Sequence, residues 1–241
     1  MNGYSIRTEG LKKNFGAVQA LKGISCDFSE GLLHGLIGSN GAGKTTTMRL
    51  LAGLLKPSAG AVNYFCGGAA VPFSDVRPGL AYMPQQASLY PDLSVDEHLE
   101  FFRELYRLDA GTYAARSEEL LEITRLGKFR GRRAGQLSGG MYKKLGLMCA
   151  LLQSPRVLLL DEPTNGVDPI SRREFWELLY GLGERGILVI ISTAYMDEAE
   201  RCSRVHLLDD GRLLASGEPR AVLRAAGAAR FDDIFIKGAA K

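Results

Sequence analysis

The chain has 241 residues, 46% hydrophobic and 24% charged, with a formal net charge of +3; that is enough to bury one large core, or one core with an inserted subdomain. The charge is too small for a nucleic-acid surface, and the basic pairs Arg132/Arg133, Lys143/Lys144 and Arg172/Arg173 are too scattered, with no interleaved aromatics. The longest apolar runs, VLLL at 157 to 160 and ILVII at 187 to 191, fall far short of the roughly 20 residues that cross a bilayer.

The opening MNGYSIRTEG has no apolar stretch of the kind a secretory signal needs. Cys26, Cys66, Cys149 and Cys202 are widely spaced, without a C-x-x-C pair or clustered histidines, which predicts reduced, structural thiols in the cytoplasm. Residues 1 to 30 alternate apolar and polar side chains around Gly10, Gly16 and Gly23 and read as a half-exposed antiparallel sheet. LLHGLIG, residues 32 to 38, is an apolar strand ending in glycine, and residues 44 to 55 carry apolar positions at helical spacing. From 94 to 152 the pattern is helical. Ser94 with Glu97 forms a capping box ahead of Val95, Leu99, Phe102 and Leu105 or Tyr106. A second helix is expected over residues 116 to 126, and a third from near Gly139.

Buried strands return at 157 to 161 and 187 to 192, separated by a helix that Asp168 can cap with Pro169 at its first position. ISTAYMDEAE, residues 191 to 200, then leads from the second strand into an acidic helix. Residues 205 to 219 look like a hairpin turning at Asp210 and Gly211. The fold class is therefore α/β: a parallel-sheet phosphate-loop core with an antiparallel β layer and an inserted helical subdomain. The domain is expected over residues 1 to 219, with the insert at about 87 to 152 and a short tail from 220 to 241.

GSNGAGKT, residues 38 to 45, satisfies G-x-x-x-x-G-K-[ST] between a strand and a helix, the setting that pattern requires. Gly38, Gly41 and Gly43 let backbone N–H groups curl around phosphate oxygens, Lys44 reaches the β and γ phosphates, and the Thr45 hydroxyl can ligate Mg²⁺. VLLLDE, residues 157 to 162, delivers two carboxylates at the end of a buried strand. Asp161 fits the Mg²⁺-positioning acid and Glu162 could polarise the attacking water. LSGGM, residues 137 to 141, opens a further helix, where Ser138 and the amides of Gly139 and Gly140 form a second anion site. Two such sites make sense if one triphosphate is shared between two protomers.

These residues resemble the nucleotide-binding domain of ABC transporters over residues 4 to 219. The resemblance rests on GSNGAGKTT at 38 to 46, Gln85 in YMPQQ, LSGGM, VLLLDE and NGVD at 165 to 168. It implies ATP and Mg²⁺ as cofactors, with Gly38, Ser39, Asn40, Gly41, Ala42, Gly43, Lys44, Thr45 and Thr46 around the phosphates. It also implies Phe15 as the adenine-stacking aromatic, or otherwise a core residue, and Gln85 as a contact to Mg²⁺ or the lytic water, or otherwise a surface loop residue. By the same resemblance Asp168 touches the opposite protomer. Met141 stands where glutamine is commonest, a mild departure. A larger one is Ala194, at a position usually filled by a histidine that contacts the γ-phosphate. Losing one such donor costs about 3 kcal/mol, roughly a hundredfold in rate.

The resemblance thus implies an ATP-hydrolysing subunit of a membrane exporter, weak at its own site, working as a homodimer or as a heterodimer with a competent ATPase. It would sit on the inner face of the membrane against a separate permease, and charge reversal at the exposed insert residues Asp92 or Asp96 is expected to disturb that association. The alternatives are a regulatory ATP-binding half, and a non-transport ATPase of ribosomes or DNA. Against the second, this sequence shows neither the long charged linker nor the coiled-coil insertion that such proteins usually carry.

Overall fold

The structure is a computed structural model that describes residues 3–86 and 89–239. It contains two sheets. The antiparallel layer is formed by β1 (Tyr4–Phe15) and β2 (Val18–Phe28), joined later in the chain by other strands. The chain then enters the main sheet through β3 (Leu33–Ile37), loops into α1 (Lys44–Leu51), and returns to the outer layer as β4 (Ala59–Cys66) and β5 (Ala69–Val71). A one-turn helix α2 (Phe73–Val76) leads to β6 (Leu80–Met83) at one edge of the main sheet. None of the elements between 59 and 83 is anticipated by the sequence reading, because neither AGAVNYFC nor LAYM shows a period that separates strand from helix.

The helical stretch follows as α3 (Val95–Tyr106), α4 (Ala110–Thr124) and α5 (Gly139–Leu151). The capping box is present in full: Glu97 N–H donates to Ser94 Oγ at 3.2 Å and Ser94 N–H to Glu97 Oε2 at 2.7 Å. The second helix begins six residues earlier than expected and ends two earlier. Asp109 caps it by accepting from Thr112 N–H at 2.9 Å, a start signal obscured by Gly111, and Arg125 closes it in a left-handed conformation. Residues 87 and 88, where the insert is expected to begin, lie outside the described residues. Asp92 is exposed, but Asp96 is half-buried rather than exposed, its N–H donating to the Arg130 carbonyl.

The remaining order is β7 (Val157–Asp161), α6 (Pro169–Glu184), β8 (Leu188–Thr193), β9 (Arg204–Asp209), β10 (Arg212–Gly217), α7 (Pro219–Ala226) and α8 (Phe231–Ala239). The main sheet runs β10-β9-β3-β8-β7-β6, parallel except for the β9–β10 hairpin. β7 and β8 open on uninterrupted apolar runs because both faces are covered, whereas β3 carries the buried His34. Val157, Leu159, Leu188 and Ile190 face α1 and the antiparallel layer, whereas Leu158, Leu160, Val189 and Ile191 face α5 and α6. This alternation follows from the two-residue period of a strand. The acidic segment after β8 is a six-residue 3₁₀ turn, Met196–Arg201, not a full helix. It is held short because Glu198 is drawn into the interior, accepting from Thr164 Oγ1 at 2.8 Å, Arg172 Nε at 2.7 Å and Trp176 Nε1 at 3.0 Å. No helix among the described residues is long and apolar enough to cross a membrane.

Candidate functional site

The buried strand β3 carries the chain to residue 38, and the loop that follows is pinned from two sides. At Gly43, φ is 101°, and a Cβ would lie 2.6 Å from Leu21 Cδ2 and 2.9 Å from the Ala20 carbonyl oxygen. Only glycine fits both the left-handed backbone and the contact with β2. Lys44, the first residue of α1, is 4% exposed. Its ammonium donates to the carbonyls of Gly38 at 2.9 Å and Ser39 at 3.0 Å and lies 3.1 Å from Glu162 Oε1. Asn40, Gly41, Gly43, Lys44, Thr45, Thr46, Gln85 and Glu162 surround a cavity of about 290 Å³ at the N-terminus of α1. Gly38 and Ser39 thus serve the site through their carbonyls, and the Ala42 methyl packs into the core beneath it.

The two acids arrive on β7. Asp161 is fully buried and has three hydroxyl donors: Thr45 Oγ1 at 3.2 Å and Ser192 Oγ at 2.5 Å to Oδ1, and the Tyr82 hydroxyl at 3.2 Å to Oδ2. Burial, and then the neighbouring Asp161 charge, push the Tyr82 phenol up to about 12, so it keeps its proton and donates. Glu162 sits at φ 46°, a left-handed conformation that costs a non-glycine residue about 1–2 kcal/mol. Its N–H is fastened to the Ser192 carbonyl at 3.1 Å and to Ser192 Oγ at 3.0 Å. The strained turn points the carboxylate away from Asp161 and towards Lys44. There Glu162 Oε2 also accepts from Gln85 Nε2 at 2.8 Å and Asn165 Nδ2 at 3.2 Å. Gln85 is exposed, yet it is tied in at both ends, since Lys143 Nζ donates to its backbone carbonyl at 2.8 Å. Burial lowers the Lys143 pKa against the pull of Glu162 and Asp161.

Thr45, Asp161 and the amide of Gln85 are hard oxygen donors. They suit Mg²⁺, which is commonly held by one or two carboxylates and completed by phosphates. Among the described residues no cluster of three His, Cys, Asp or Glu could hold a metal without such help.

Other expected residues lie apart from this cavity. Ser138 caps α5, accepting from Met141 N–H at 3.3 Å; Ser138 and Gly139 are exposed and Gly140 is buried. Phe15 is 49% exposed at the end of β1, opposite Val18, so it is not a core residue. Asp168 caps α6 through Ile170 N–H at 3.1 Å and Ser171 N–H at 3.0 Å. Ala194 lines a separate cavity of about 170 Å³ with Asn40, Glu162, Asn165, Thr193 and Tyr195. Ser192, Tyr82, Lys143 and Asn165 escape the sequence reading as individual site residues. Tyr82 and Asn165 lie inside the quoted YMPQQ and NGVD, whereas Ser192 and Lys143 reach the site through folding alone.

The ABC transporter family model matches residues 21–165. The chain is 46% identical over 224 residues to a probable multidrug ABC transporter ATP-binding protein of Escherichia coli, covering 92% of this chain and 39% of that protein. It is 35% identical over 240 residues to a daunorubicin resistance ATP-binding protein of Streptomyces coeruleorubidus, covering 99% and 74% respectively. Among solved structures it matches an ATP-binding subunit of an ABC transporter with a TM-score of 0.83 and 29% identity, over 96% of this chain and 98% of the other. It also matches a dimeric bacterial ABC transporter cassette with a TM-score of 0.77 and 25% identity, over 89% and 99%.

Proposed function

The chain belongs to the ABC transporter family, and on that premise we propose that it binds MgATP between two protomers and uses slow hydrolysis to drive a membrane exporter. The observation that carries this reading is the convergence of Lys44, Thr45 and Glu162 on one loop-lined cavity, with Asp161 buried behind Thr45 and accepting from its hydroxyl. The N–H groups at the start of α1 attract phosphate oxygens. As the γ-phosphate enters, the Lys44 ammonium exchanges its contact with Glu162 for phosphate oxygens. Glu162, released from that ion pair and still oriented by Gln85 and Asn165, can take a proton from an attacking water. Thr45, Asp161 and Gln85 would hold the cation, which when bound neutralises charge between the β and γ phosphates.

Phe15, half exposed with the Lys13 ammonium 5.1 Å from its ring centroid, would stack on adenine at the end of the strand pair whose Ala20 lines the same cavity. The exposed turn at Ser138 and Gly139 is free to cover the nucleotide of a second protomer, either a copy or a relative. A groove of about 780 Å³, lined by Leu54, Phe73, Tyr106 and one charged residue, Arg77, would seat a permease segment. The export reading is drawn from relatives named for multidrug and daunorubicin resistance.

Glu162→Gln tests the catalytic part. The expected outcome is that ATP-driven dimers accumulate while turnover falls by a hundredfold or more. The regulatory alternative, favoured by the methyl group at Ala194, predicts that neither quantity changes.

A further inference from the structure

Asp161 has no cationic partner among the contacts given above. Its two oxygens are held by three hydroxyls, and two of these, Thr45 and Ser192, act on Oδ1. Oδ2 is held by Tyr82. Tyr82 differs from the other two in where it stands. It projects from β6, at the edge of the main sheet, and lines the 780 Å³ groove with Leu54, Phe73 and Tyr106. Arg49 of α1, the helix that carries Lys44 and Thr45, acts on the same phenol with its positive charge. One side chain therefore spans from the floor of the groove to the acid beside Thr45.

We propose that Tyr82 is a positioning residue: its hydroxyl fixes the orientation of the Asp161 carboxylate towards the cation. The inference rests on the MgATP reading above. A carboxylate held on both oxygens has one orientation, whereas loss of the Oδ2 donor leaves it free to turn about its terminal torsion. Outer hydrogen bonds of this kind are worth about tenfold or more in metal affinity. Replacing the hydroxyl by hydrogen keeps the ring and its packing.

The test uses the full chain carrying Glu162→Gln, so that ATP is not consumed, with ATP binding measured by calorimetry in chelator and across a Mg²⁺ titration. Tyr82→Phe is expected to leave Mg²⁺-free ATP affinity unchanged and to raise the Mg²⁺ concentration at half-effect about tenfold. Coincident Mg²⁺ titrations, or an equal loss of Mg²⁺-free affinity, overturn the positioning role. If Mg²⁺ does not tighten ATP even with Tyr82 present, the MgATP reading itself fails and takes the inference with it.

Discussion

At position 194 a methyl group borders a cavity of about 170 Å³ whose other walls include Asn40 and Glu162. Its neighbour Tyr195 lines the same cavity, but its hydroxyl is already engaged. Its ring lies with the Arg172 guanidinium 4.6 Å from the centroid, and its hydroxyl donates to Asn165 Oδ1 at 3.4 Å. Asn165 in turn donates to Glu162, so Tyr195 supports the carboxylate at second hand, and position 194 itself offers the cavity no charged side chain. Ala194→His should therefore add a donor where negative charge develops and raise turnover by roughly a hundredfold. Lys44, Thr45 and the loop amides are untouched, so ground-state ATP affinity should stay within about twofold. Steady-state hydrolysis and equilibrium binding, measured under dimerising conditions, check both expectations. A wild type that already turns over several times per second and gains nothing from histidine sinks the idea.

At the scale of elements, the start of α5 is set against α6 by an absent side chain. A Cβ on Gly140 would lie 2.4 Å from Ser171 Cβ and 2.5 Å from its Oγ, so this glycine is needed for close packing between helices as well as for the open turn read from LSGGM. Gly140→Ala must push the helices apart or tilt α5, at a cost of about 1–3 kcal/mol. In a chain of this size that lowers the melting temperature by several degrees. Calorimetry of the isolated chain reads this without nucleotide; an unchanged melting temperature would show that the contact relaxes freely. The contrast marks what a sequence discloses. Ser94 with Glu97, Asp168 with Pro169, and the turn at Asp210 and Gly211 are local rules, legible because donor and acceptor lie within a few residues. So are the loop at 38 to 45 and the acids at 161 and 162, whose chemistry is carried by spacing. Ser192 and Tyr82 are not legible, because they reach Asp161 through strand neighbours set by sheet register: Asp161 pairs with Ser192, and β6 adds Tyr82 from the other side. Asp109 is local and could have been found, had Gly111 not disguised the first turn of α4.

At the scale of the molecule, the antiparallel layer is locked to the main sheet partly by a polar chain in an otherwise apolar seam. His34 on β3 and His206 on β9 are buried, with His34 Nδ1 3.2 Å from His206 Nε2 and Phe28 packed against both rings. The chain ends at Ser29 on one side and at Ser216 Oγ, 2.9 Å from His206 Nδ1, on the other. Each ring must carry one proton, because two donors facing each other across the 3.2 Å gap would repel. Burial lowers His34 to about 4 and His206 to about 3, with Arg204 opposing charge on both and His34 doing so for His206. Unfolded histidine titrates near 6.5. Between pH 6.5 and the folded values, the unfolded chain therefore takes up protons that the folded chain refuses, and stability falls as pH falls. Above pH 6.5 neither state binds them and the contribution is complete and constant. By pH 5, before most carboxylates titrate, each histidine should have cost about 2 kcal/mol. Urea midpoints measured from pH 8 to 5 are expected to be flat above 6.5 and to drop steadily below it. In His34→Gln/His206→Gln that drop should shrink to the part left by His98, which burial also lowers, whatever the variant's stability at pH 8. An undiminished slope would mean that the acid sensitivity of this fold lies outside the histidine seam.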